Sequence, residues 1–179
     1  MPSVGVVITA GGRGKRLGNR VPKQFLLLGG ISILQRTVAL FASLPSVDEI
    51  VITSPKDHIS RVQRLLAVMG CKKILSIVPG GKERQDSVWN GINGFISKPD
   101  IVLVHDAVRP LVSRKTVNEV IASAISYGIS GRCPVAATVA ASDRLSPLPS
   151  GAQTGASTDA ELVFMTRPIG SVKLYRGAR

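Results

Sequence analysis

VGVVITAGGRGKRLG, Val4 to Gly18, joins an unbroken apolar run to a glycine-rich turn. Val4–Thr9 has the continuity of a strand buried on both faces, without the alternation of a half-exposed one. The ten residues Thr9–Gly18 then hold four glycines and three cations. Glycines let backbone N–H groups approach phosphate oxygens, and cations neutralise their charge. Two phosphate templates nevertheless fail. A dinucleotide turn GxGxxG, counted from Gly12 and Gly14, ends on Leu17. A Walker A loop needs Ser or Thr after Gly14-Lys15 and glycine at position 9, and finds Arg16 and Thr9. By these residues alone, the turn is either a phosphate cradle or an ordinary bend after a first strand.

Outward from this stretch the same alternation recurs. EIVIT (49–53), KILSIV (73–78), IVLVH (101–105) and CPVAATV (133–139) read as further buried strands. Between them, ILQRTVALFASL puts Ile33, Leu34, Val38, Phe41 and Leu44 on one helical face. HISRVQRLLAVMG does the same with Ile59, Val62, Leu65, Leu66 and Met69, and Gly70 ends it. SRKTVNEVIASAISYG starts on a Ser113 N-cap and buries Val117, Val120, Ile121 and Ile125. Strand–helix alternation implies right-handed crossovers and an α/β fold, a mostly parallel twisted sheet with helices on both faces. Beyond Val139 the pattern weakens: AASDRLSPLPSGAQTGAS reads as loop, and ELVFMTRPIGSVKLYRGAR as a short helix-like turn followed by a strand-like SVKLY.

The 179 residues suit one domain. No apolar run approaches the roughly 20 residues that cross a bilayer, and no signal-peptide pattern opens the chain. Two cysteines, Cys71 and Cys133, lack CxxC spacing and read as buried thiols of a reducing, cytoplasmic setting. The net charge of +12 favours polyanionic partners. Because the cations are scattered and aromatics make up only 4%, there is no stacking platform for bases. A small phosphorylated ligand is therefore preferred to nucleic acid.

Three loops follow strands at the edge where open α/β sheets bind ligands. Behind the glycine turn, VPKQF places Lys23 on a loop that folds back, because Pro22 disfavours helix at Val21. PGGKERQDSVWNG (79–91) is a double-glycine turn entering a helix near Glu83. Its Asp86 and Ser87 read either as ligand contacts or as first-turn residues, and Trp89 as core packing. VHDAVRP (104–110) sets Asp106 and Arg109 three apart past a strand. They can hold a cation or sugar hydroxyl and a phosphate, or simply pair with each other. His105 reads as structural and His58 as solvent-facing; neither has a partner at metal-ligand spacing.

Taken in order, AGGRGKRLG, PKQF, GGKERQDSVWNG and VHDAVRP resemble the 2-C-methyl-D-erythritol 4-phosphate cytidylyltransferase family. The resemblance implies a Rossmann-like nucleotidyltransferase fold that transfers CMP from CTP to a polyol phosphate, using Mg²⁺ and releasing pyrophosphate. It implies that Ala10, Gly11, Gly12 and Gly14 cradle the triphosphate, while Arg16 and Lys23 stabilise charge at the α-phosphate. Gly81, Lys82 and Ser87 would line the cytosine end, with Lys82 replacing the acidic residue often found there. Asp106, also the metal ligand, would face the polyol phosphate together with Ala107 and Arg109. Thr138 would reach that substrate across a homodimer, and Arg144 is the candidate for the arm arginine that does the same.

Departures accompany the likeness. The single domain, 1–179, carries a shortened arm at 140–158, and no N-I-K-V-T segment with its site lysine is present. Impaired turnover and a weakened dimer are the expectation. A ribitol 5-phosphate cytidylyltransferase shares the HDAVRP loop, although RQDSV favours the methylerythritol enzyme. A protein that holds CTP without turning it over is the other alternative.

Overall fold

The structure, a computed structural model, describes residues 1–11, 21–129, 138–139 and 162–166. In chain order its elements are β1 (Val4–Thr9), β2 (Leu27–Leu28), β3 (Ile31–Ser32), α1 (Ile33–Ala42), β4 (Glu49–Ser54), α2 (Ile59–Ala67), β5 (Ile74–Pro79), α3 (Arg84–Asn93), β6 (Ile101–Asp106), α4 (Arg114–Ile129), β7 (Thr138–Val139) and β8 (Leu162–Thr166). Among the described residues one sheet has the order β5-β4-β1-β6-β8-β7. β5, β4, β1 and β6 run parallel, and β8 pairs antiparallel with β6 and β7. β2 and β3 form a separate small hairpin.

β1 shows why the strands are continuous in apolar character. Val4, Val6 and Ile8 join one buried cluster and Val7 another on the opposite face. The first cluster takes in Leu34, Val38 and Phe41 of α1, Val62 and Leu66 of α2, and Val117, Val120 and Ile121 of α4. The second is covered by α3 through Val88, with Phe95 just beyond it. Helix starts are built as their sequences suggest: Ser32 Oγ accepts from Gln35 N at 3.2 Å, and Ser113 Oγ accepts from Thr116 N at 3.0 Å. No helix among the described residues is long and apolar enough to cross a membrane.

Several expectations are corrected. Trp89 is 45% exposed, because Val88, Gly91 and Ile92 already occupy the sheet-facing side of α3. His58 is half-buried, edge-on to the Phe25 ring at 5.4 Å, with the Arg61 guanidinium over the same ring. Cys71 is a half-buried free thiol in a recess with Leu66, Gly70 and Ile77, between α2 and the edge strand. Leu162–Thr166 is a strand where a helical turn was expected: β6 offers its open edge, and pairing satisfies backbone groups that a lone turn leaves bare. Of the strand expected at 133–139, only Thr138–Val139 lies in a described strand. SVKLY, Cys133 and the 140–158 segment lie outside the described residues.

Candidate functional site

The four parallel strands end together at Thr9, Ser54, Pro79 and Asp106. The chain steps outward from β1 to β4 to β5, then returns to place β6 on the other side of β1. That reversal opens a crevice between the ends of β1 and β6, the usual ligand position in such sheets. Thr9 and Asp106 are paired across it in register.

Asp106 is the hub of this crevice. Its Oδ1 accepts from Thr9 Oγ1 at 3.0 Å and from Arg84 Nη2 at 3.2 Å, while Oδ2 accepts from Arg109 Nε at 3.2 Å. The internal Asp106–Arg109 pairing left open by the sequence is therefore formed, and a second guanidinium joins it. The loop beyond is held tightly. Ala107 N donates to Thr9 O at 3.0 Å, Thr37 Oγ1 donates to Ala107 O at 2.8 Å, and Arg109 N donates to Asp106 O at 3.1 Å. Fully buried His105 closes the set, its Nε2 2.9 Å from Arg109 O and its ring tilted against Phe41. Burial pushes the His105 pKa below 6.5, outweighing the bond to Arg109 and the nearby Asp106 charge, which act upward. The neutral imidazole carries its proton on Nε2, because a carbonyl oxygen can only accept.

The second loop folds onto its own helix. Ser87 Oγ accepts from Gly81 N at 3.0 Å and donates to Glu83 O at 3.1 Å. Asp86 Oδ2 accepts from Glu83 N at 3.0 Å and completes a capping box, which is its first-turn role. A Cβ at Gly81 would overlap Asp86, so only glycine lets the loop pass this close. One at Gly11 would sit 4.0 Å from Ser87 Oγ, which brings the first and second loops face to face. Lys82 is exposed beside them.

Of the first loop, the end of β1 is described. Ala10 is buried, its N–H donating to Thr53 O at 2.8 Å and its carbonyl accepting from buried Gln24 Nε2 at 2.9 Å. Both backbone groups are thus engaged within the fold, and Gly11 is the exposed one. The Gln24 bond returns the PKQF segment to the base of the glycine turn, with half-buried Lys23 beside it. Ala107, expected at the polyol phosphate, has its methyl in the core and its N–H and carbonyl in the bonds above. Gly12, Gly14, Arg16 and Arg144 lie outside the described residues; Thr138 is placed in β7, away from Asp106 by two strands in sheet order.

Sequence reasoning missed Arg84, Thr9 and Gln24. Arg84 left a trace: a cation in the first turn opposes the helix dipole, which suggests a specific anionic partner. Gln24 and Thr9 left none, since a single polar residue beside apolar ones has no periodicity to read.

Glycine-edged loops, a helix N-terminus and paired arginines at the switch point of a parallel sheet define an α/β protein equipped for an anionic ligand. The chain belongs to the IspD family, 2-C-methyl-D-erythritol 4-phosphate cytidylyltransferase, whose model matches residues 4–146. It is 40% identical over 123 residues to the enzyme of that name from Clostridium botulinum (strain ATCC 19397 / Type A), covering 69% of this chain and 54% of that protein. The Clostridium perfringens (strain SM101 / Type A) enzyme is 42% identical over 128 residues, with 72% and 56% covered. The chain thus spans about half the length of these curated relatives. The fold is shared with 4-diphosphocytidyl-2C-methyl-D-erythritol synthase from Anaerococcus prevotii, at TM-score 0.61 and 20% identity over 92% of this chain and 70% of that one. It is shared equally with the Francisella tularensis cytidylyltransferase, at TM-score 0.60 and 24% identity over 92% and 72%.

Proposed function

We propose that this chain binds CTP in the crevice between β1 and β6 and takes part in transferring CMP to 2-C-methyl-D-erythritol 4-phosphate. A phosphate oxygen of the polyol attacks the α-phosphorus of CTP, the new P–O bond forms, and the bond to the β-phosphate oxygen breaks to release pyrophosphate. Such chemistry needs alignment and charge neutralisation more than covalent help. The observation that carries the reading is the convergence of Gly11, the Gly81–Ser87 turn and the Asp106–Arg109 loop at one crevice, in a chain of this family.

The roles divide along that crevice. Gly11, with Gly12 and Gly14, takes the triphosphate, and Arg16 and Lys23 neutralise the α-phosphate and leaving group. Gly81, Lys82 and Ser87 take the cytosine end. Asp106 and Arg109 take the polyol phosphate, with Ala107 holding their loop in place. Thr138 and Arg144 belong to the same substrate, contributed across a homodimer.

The family likeness also implies Mg²⁺ at Asp106, where it would supply charge neutralisation to phosphate groups. No three His, Cys, Asp or Glu side chains cluster to hold an ion among the described residues. The Asp106 carboxylate, moreover, already faces two guanidinium groups. As placed, these side chains do not fit a cation.

The test is pyrophosphate release from CTP with either 2-C-methyl-D-erythritol 4-phosphate or ribitol 5-phosphate. Turnover or tight CTP binding with preference for the methylerythritol substrate supports the reading. Preference for ribitol 5-phosphate, or no binding of CTP, overturns it.

A further inference from the structure

At the carboxyl end of β1 two backbone groups outlast the parallel ladder, and the fold treats them differently. Thr9 O accepts from Ala107 N on the β6 side, and Ala10 N donates to Thr53 O at 2.8 Å on the β4 side. The next ladder bond on the β4 side would run from position 55 to Ala10 O, but Pro55 has no N–H to give. Gln24 Nε2 supplies the missing donor at 2.9 Å, from a fully buried position. Its Oε1 is buried without a partner, so the bond to Ala10 is what holds this amide in the core. The next bond on the β6 side would run from Gly11 N to Ala107 O, but that carbonyl is turned to Thr37 Oγ1 at 2.8 Å. Gly11 N–H is left with no acceptor among the described residues. The Ala10–Gly11 peptide is trans, so its C=O and N–H point opposite ways. Holding the carbonyl on the β4 side aims the N–H to the β6 side, into the crevice.

We propose that Gln24 is a positioning residue: it stands in for the N–H that Pro55 lacks and, by fixing the Ala10 carbonyl, presents Gly11 N–H to a phosphate in the crevice. A donor held in place beforehand gives a charge-assisted bond without rearrangement. Gln24 lies in the single turn Lys23–Phe25, so one buried amide also ties the Lys23 turn to the Gly11 peptide. A nucleotide as the source of the phosphate rests on the function proposed above; the presentation of Gly11 by Gln24 does not.

The experiment follows the Gly11 amide by ¹⁵N–¹H spectroscopy of the full chain, titrated with inorganic pyrophosphate and, separately, with CTP. In the parent, the Gly11 amide should shift with both. An unmoved Gly11 amide at saturating pyrophosphate overturns the proposal before any variant is made. Gln24→Met, similar in volume but without a donor, should weaken pyrophosphate binding roughly tenfold and lose most of the Gly11 shift. Its urea midpoint, measured alongside, reports the fold separately. Adding Pro55→Ala to Gln24→Met restores a ladder N–H to the Ala10 carbonyl and should recover most of the affinity and of the shift. A role of Gln24 in packing alone would give no such recovery. Parent-like pyrophosphate binding in Gln24→Met, or no recovery in the double variant, overturns the proposal. A Gly11 shift with pyrophosphate but no binding of CTP overturns the nucleotide reading and leaves the proposal standing. CTP binding with Gly11 unmoved does the reverse.

Discussion

Among the described residues, the two faces of the sheet are built on different scales. One is covered by α1, α2 and α4 over a continuous cluster that runs from Val4 to Ala124. The other rests on α3 and the buried side chains of Val7, Val51, Val88, Phe95, Val102 and Val104. The thin face nevertheless carries much of the site, because the N-terminal end of α3 supplies Arg84, Ser87 and the turn at Gly81. Bulk stabilises the fold on one side. On the other, close approach of a single helix sets the crevice's dimensions. Gly91 makes that approach possible, since a Cβ there would overlap Val7 and crowd Thr53.

This contrast separates stability from ligand binding, and mutations can exploit it. The largest expected loss is on the thick face. Leu44→Ala, which empties a fully buried position after α1, should cost about 2–5 kcal/mol in urea unfolding. CTP affinity of the remaining folded protein should be little changed. Gly91→Ala should cost less, about 1–3 kcal/mol, because overpacking outweighs the gain in helix propensity. It should weaken CTP binding disproportionately as α3 is pushed off the sheet. Equal effects of both changes on CTP affinity, measured by calorimetry, would remove the distinction between the faces.

His105 sits where the thick face meets the site. His105→Leu leaves the Arg109 carbonyl without its donor and should cost about 1–3 kcal/mol. His105→Gln, which retains a donor, should recover part of the loss. The pH dependence has a definite sign. Because burial depresses the pKa in the folded state, the unfolded chain binds the extra proton first as pH falls. Stability contributed by neutral His105 is present above pH 6.5 and declines as pH drops below it toward the lowered folded value. Unfolding midpoints from pH 8 down should show that decline, and His105→Gln should flatten it. The smallest effect belongs to Lys115→Gln, whose exposed i,i+4 pair with Glu119 is solvent-screened, so the urea midpoint should stay within error of the parent.

Much of this architecture was legible in the residues. The β-branched runs at Val4–Thr9, 49–53 and 101–105 became strands because a strand buried on both faces must be apolar throughout. Leu34, Val38 and Phe41 marked the buried side of α1 by their spacing, and Ser113 marked the start of α4. Trp89 misled because size alone suggests burial, while helix phase decided its exposure. β8 was missed because an antiparallel edge strand depends on the open side of β6, which lies about 60 residues away in sequence.

Locally encoded features were therefore determined by the sequence itself: strand and helix identity, caps, glycine turns, and the loops in which a phosphate-binding chemistry was expected. Backbone sterics and side-chain periodicity act over a few residues, so a linear reading captures them. Tertiary structure alone decided that Arg84 crosses to Asp106, that Gln24 anchors Ala10, and that Gly11 faces Ser87. Those pairings join residues far apart in the chain or on separate loops. They exist because strand order, returning β6 to the flank of β1, brings the loop ends into one crevice.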